Sequence, residues 1–87
     1  GLIHEAAGKF SSVRCEPPAT LELTVQGKEG ELNLISWDYK LVEYIVPSRS
    51  DRFHPCRHLE GKNGTVRFFE DQEHGSRRLL GVMITQP

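Results

Sequence analysis

The densest group of reactive side chains is His54-Pro55-Cys56-Arg57-His58, which puts two imidazoles and a thiol within five residues. Adding Cys15 would give the mixed nitrogen and sulfur set that tetrahedral zinc accepts. The spacing argues against zinc: Pro55 stiffens the middle, no paired C-x-x-C is present, and the pattern does not match a zinc knuckle. We therefore assign no metal ligand. A Cys56 thiolate beside an imidazolium would be a nucleophile, because a neighbouring positive charge lowers a thiol's pKa. That chemistry also needs an orienting third group and an oxyanion site, and nothing in the spacing supplies them. Asp38 has no second carboxylate placed for acid–base pairing. Gly27, Gly30, Gly61, Gly64 and Gly75 read as turn glycines, without the G-x-x-x-x-G-K-[ST] order of a phosphate loop. The expectation is a protein that is not an enzyme, with no catalytic residue and no cofactor.

Binding chemistry has more support. Arg49, Arg52, Arg57, Arg77 and Arg78 lie in or near segments that a small barrel would gather at one end, and guanidinium groups suit bidentate contact with phosphate or carboxylate. Together with Phe53 they are the candidate binding residues. Paired with an exposed Trp37, Tyr39, Tyr44, Phe53 or Phe69, such a patch would stack the bases of single-stranded nucleic acid. The charge balance works against that partner. Eleven Lys+Arg stand against twelve Asp+Glu, net charge −1, and Asp51, Glu70, Asp71 and Glu73 interleave with the arginines. The favoured partner is a protein or a cell-envelope component, with nucleic acid as the alternative. Trp37 and Tyr39 are expected as packing residues, because a small barrel draws much of its apolar area from a few aromatics.

Eighty-seven residues allow one domain, 1–87, and are too few for two. Hydrophobic residues are 37% and no apolar run approaches the roughly 20 residues of a membrane helix, so no membrane span is expected. Two cysteines permit one disulfide or two buried thiols, and number alone leaves both open. A pair would stabilise the fold by about 4 kcal/mol on the chain-entropy model and would suit an oxidising compartment. Gly1 to Phe10 has no basic start followed by an apolar core, so no secretory signal is read there.

The elements that must position these residues are strands. Thr20 to Gln26 alternates strictly, with Leu21, Leu23 and Val25 on one face. Gly27-Lys28-Glu29-Gly30 then makes a hairpin turn, and Glu31 to Ser36 follows with Leu32 and Leu34 inward. Lys9 to Cys15 is a strand in which Phe10, Val13 and Cys15 share a face only if a bulge falls at Ser11-Ser12. Trp37 to Val46 fits a helical stripe or a strand, and its β-branched and aromatic content favours strand after a turn at Trp37-Asp38-Tyr39. Pro47 to Pro55 reads as a long exposed loop pinned by Phe53, the kind of segment that carries recognition. Gly61 to Gly64 is a turn. Thr65 to Glu70 and Leu79 to Thr85 are the last strands, with Leu80, Val82 and Ile84 opposed to Leu79 and Met83. Short strands, frequent turns and no helix describe an all-β fold: a small antiparallel barrel of five to six strands, OB-like, with an SH3-like barrel as the alternative.

Several segments together resemble the small OB-like β-barrel domains of bacterial envelope proteins, including ones that trail helical repeat arrays. They are Gly8-x-Phe10-x-x-Val13-x-Cys15, the Leu21 to Leu34 hairpin and Asp38-Tyr39 through Val42-Glu43-Tyr44. Pro55-Cys56-x-x-Leu59-x-Gly61, Val66-x-Phe68 and Gly81-Val82-x-Ile84 complete the set. The resemblance spans nearly the whole chain. It implies an accessory, non-catalytic module outside the cytoplasm, in the periplasm, with a disulfide linking Cys15 and Cys56, and it implies no specific ligand. The basic loop Ser48 to Arg52 departs from that pattern.

Overall fold

The alternating segment Thr20–Gly27 forms β2 and pairs antiparallel with β3 (Gly30–Ser36), placing Leu23 opposite Leu34 and Val25 opposite Leu32. Lys28 and Glu29 make the turn, and Gly30 takes φ +119°, a conformation that costs a residue without a Cβ little. Leu21, Leu23 and Val25 are at most 1% exposed, as their period dictates. The structure is a computed structural model describing residues 2–47 and 52–86, except for the Gln86 side chain. Arg49 lies outside the described residues.

β1 (Ile3–Glu16) starts six residues before the expected Lys9 and serves two neighbours. Its first half pairs with β5 (Asn63–Asp71), and its second half pairs with β2. A register shift between Phe10 and Ser12 falls at the expected serine pair and sets Phe10, Val13 and Cys15 opposite Val25, Leu23 and Leu21. β5 and β6 (Ser76–Gln86) form an antiparallel hairpin. β6 meets β3 in parallel at Ile35 and Arg78, which closes a five-stranded barrel, and β4 (Glu43–Ile45) adds a sixth strand parallel to β6. The all-β barrel is therefore antiparallel in its two hairpins and along both sides of β1, and parallel where it closes.

Several local expectations change. Trp37 to Val46 holds a 3-10 turn, Tyr39–Leu41, before β4, because the Asp38 carboxylate accepts the Lys40 N–H at 3.0 Å and starts the turn. One turn of helix, α1 (Pro55–His58), follows the expected Pro47 to Pro55 loop where no helix is expected: Pro55 suits a first helical position, and the His54 ring caps the Cys56 N–H. In β6 the register slips, Arg67 facing Gly81 and Phe68 facing Leu79, so Leu80 is the extra residue. Leu79, not Leu80, therefore joins Val82 and Ile84 in the core, while Leu80 is half-buried.

Phe10, Leu21, Leu23, Val25, Leu59 and Val66 are the largest fully buried side chains. Gly64, expected in a turn, is instead buried within β5 because the strand starts at Asn63, and it makes this packing possible: a Cβ there would lie 2.1 Å from the Met83 carbonyl oxygen and 2.9 Å from the Phe10 ring. Tyr39, Tyr44, Phe53 and Cys56 pack half-buried on this core. The Tyr44 hydroxyl donates to the Tyr39 carbonyl at 2.8 Å, and burial, with Tyr39 and Asp38 nearby, pushes its pKa well above the usual phenol range.

Candidate binding groove

The reactive cluster singled out in the sequence is taken up by structure. Cys15 and Cys56 form a disulfide with Cα atoms 6.0 Å apart. The His54 Nδ1 accepts the Cys56 N–H at 3.1 Å, and the His58 Nδ1 accepts the His54 N–H at 2.9 Å. With both sulfurs bonded to each other, the zinc set loses its thiolates and the Cys56 nucleophile loses its thiol. Phe53 is half-buried beside Tyr44 and His58, ring centroids 5.5 and 5.9 Å away, and His54 meets Tyr39 edge-on at 5.3 Å. Phe53 packs on the core, Arg52 before it and Arg57 on α1 are exposed, and positions 48–51 of the expected Pro47 to Pro55 loop lie outside the described residues.

A second region, on the barrel's outer face, emerges only from the pairing. The residues that alternate with the inward leucines, Glu22 and Thr24 on β2 and Asn33 and Ile35 on β3, share a wall with Ser12 and Arg14 of β1. The tip of the β5–β6 hairpin, Glu70 to Gln72 and Gly75 to Arg77, forms the other wall, and between them lies an open groove of about 740 Å³. Thr24 Oγ1 donates to Asn33 Oδ1 at 2.9 Å across the β2–β3 pair. The cations in the lining carry carboxylates, Arg14 with Glu16 at 3.6 Å and Arg77 with Glu70 at 3.2 Å.

Beside the groove, Arg78 organises a polar and aromatic cluster. Its guanidinium donates to Asp71 Oδ2 at 2.7 Å and lies 4.6 Å from the Trp37 ring centroid and 5.6 Å from that of Phe69. His74 meets Asp71 through its backbone N–H at 3.2 Å and its Nδ1 at 2.9 Å, and contacts Trp37 edge-on at 5.8 Å. Burial pushes the Asp71 carboxyl upward, but the hydrogen bonds and charge of His74 and the charge of Arg78 outweigh it and hold it below its ordinary 3.8. Asp71, Glu73 and His74 offer ligand atoms within 4.8 Å of one another, yet a metal ion there would have to displace the guanidinium from Asp71.

Trp37, expected as a core or semi-buried packing residue, is not in the core: it is 47% exposed and lies against Arg78 and His74, just past the last residue of β3. Tyr39 packs as expected. Of the described candidate residues, Arg52 and Phe53 precede α1 and Arg57 lies on it, whereas Arg77 and Arg78 belong to β6 and pair with Glu70 and Asp71 of β5. The groove residues Ser12, Arg14, Glu22, Thr24 and Asn33 were not singled out in the sequence. Their only signal is the polar half of the strand alternation, which any solvent-facing strand shows. No helix among the described residues is long and apolar enough to cross a membrane. No protein-family model matches the chain, and no curated protein matches it.

Proposed function

We propose that the domain is a non-catalytic binding module, an OB-like barrel that takes its ligand in the groove between the β1–β3 face and the β5–β6 hairpin. The observation that carries this reading is an open groove of about 740 Å³, the size of a ligand site, between the β1–β3 face and the β5–β6 hairpin. Support for the OB-like assignment comes from the three-stranded β1–β2–β3 meander, the shared strand β1 and the parallel closure of β3 on β6. Barrels of that kind bind ligands on this strand face and the loops beside it. The ligand is a protein or cell-envelope component, and the Cys15–Cys56 disulfide favours an extracytoplasmic, periplasmic setting. Single-stranded nucleic acid is the second reading, favoured by the exposed Trp37 ring and opposed by the paired arginines.

The test is photo-crosslinking from a benzophenone side chain placed at position 33 in the groove or at position 57 on α1, irradiated in envelope extract. The expected result is adducts from position 33 that are absent from position 57. Adducts confined to position 57, or none at either, would overturn the groove as the binding face.

A further inference from the structure

We infer that the outer face of the β4–β6–β5–β1 sheet, away from the groove, pairs with the same face of a second copy of this chain in a two-fold dimer. Four residues form a ladder across that face. Ala7 lies opposite Thr65, Thr65 opposite Met83, and Met83 opposite Ile45, so each strand places one residue in a single row. The adjacent row, Ala6, Val66, Val82 and Tyr44, packs in or on the core, and strand alternation therefore points the ladder outward. Ile45 is 51% and Met83 42% exposed, Ala7 is exposed and Thr65 is half-buried. None of the four lines the groove.

Charge complementarity identifies the occupant. Glu5 and Lys9 stand two residues to either side of Ala7 on the outward side of β1, exposed and without an ion-pair partner among the described residues. A two-fold axis running along the ladder sets Ala7 on Ala7 and brings Glu5 of each copy to Lys9 of the other, two ion pairs from one symmetry operation. Met83 and Ile45 then each meet their own copy, which takes both exposed apolar side chains out of water. Arg67, opposite Glu5 in the register, pairs with Glu43 at 3.7 Å and faces the exposed Asn63 of the second copy, so that pair stays intact. A lipid surface would have to take in the Glu5 and Glu43 carboxylates beside the ladder, and an acidic partner would be repelled by them. The face spans four strands about 4.8 Å apart and about six residues at roughly 3.3 Å each, or about 19 by 20 Å. Two such faces bury roughly 800 Å² in total, the size of a weak, reversible interface.

The experiment is sedimentation equilibrium of the domain at low salt between about 0.02 and 2 mM, with 15N NMR spectra over the same range. The mass is expected to rise from monomer to dimer with a dissociation constant on the order of 0.1 mM. The Ala7, Thr65, Met83 and Ile45 amides should shift with concentration, and those of Thr24 and Asn33 in the groove should not. Glu5→Lys and, separately, Lys9→Glu put like charges face to face, and each should weaken self-association more than about tenfold. An equimolar mixture of the two variants should recover the original affinity, because each copy then offers the charges that the other lacks. That rescue separates a contact across the interface from a loss of folding. A chain that stays monomeric at about 2 mM overturns the inference. So does self-association that both charge reversals leave unchanged, or that shifts the groove or α1 and not the ladder. A mixture that stays monomeric where the original chain dimerises overturns it as well.

Discussion

Two regions of this barrel draw on the same kinds of side chain, histidine, arginine and aromatic rings, and put them to different uses. Around α1, His54 and His58 accept backbone N–H groups, Cys56 is tied to Cys15, and Phe53 lies between Tyr44 and His58. At the β5–β6 hairpin, Asp71, His74 and Arg78 hold one another and steady Trp37, whose ring remains half in solvent beside a groove. The difference teaches that a cluster of reactive residue types marks function only where the backbone leaves them uncommitted. The α1 cluster is the richer of the two in the sequence, and both of its Nδ1 atoms and its sulfur are already in use.

Perturbing the α1 region should therefore cost stability, and perturbing the hairpin should cost recognition. The largest effect is expected from Cys15→Ala with Cys56→Ala. Freeing a closure of 41 residues should lower unfolding free energy by about 4 kcal/mol on the chain-entropy model, read as a shift of the urea midpoint. A loss under about 1 kcal/mol would remove the disulfide from its structural role. Leu59→Ala, just after α1 and 0% exposed, should cost about 3 kcal/mol by the same measurement, because the vacated volume sits in the core.

Removing a cap is a smaller change. His54→Ala should cost about 1 kcal/mol by releasing the Cys56 N–H, and a comparable loss from His74→Ala would erase the contrast between the regions. The smallest effect is a local one with acid. The folded carboxyl of Asp71 is depressed, so its contribution is complete above the unfolded value of about 3.9 and fades as pH falls through the folded one. The Trp37 indole NMR signal should show a step below about pH 4 that Asp71→Asn abolishes, and a step that survives the substitution would mean that the indole does not sense Asp71 through Arg78.

Much of the barrel was legible in the residues. Leu21, Leu23 and Val25 alternate so cleanly that only a half-buried strand accommodates them, and the Ser11-Ser12 break in step announced the bulge in β1. The first half of β1 was hidden because its burial is spread thinly: Ile3 is 55% exposed, Ala6 only half-buried, and the apolar positions are too few to set a period. α1 was hidden because four residues carry no helical periodicity, and its turn depends on a proline and an imidazole cap. The β6 bulge was hidden because Leu79 and Leu80 are chemically alike, and only pairing with β5 decides which one goes inward.

The groove divides along the same line. Alternation in β2 and β3 fixed which residues face outward, since successive side chains on a strand point to opposite sides. Which outward residues meet one another was decided by the β3–β6 closure and by Arg78, which links β6 to Asp71 and to Trp37 at the end of β3. The sequence by itself determined an all-β domain, its central hairpin and a near-neutral charge. Only the tertiary structure decided that the two cysteines join in a disulfide, that His54 and His58 accept backbone N–H groups and that Trp37 lies against Arg78. The physical reason is range: strand periodicity is local, while disulfides, ion pairs and groove walls join residues distant in the chain.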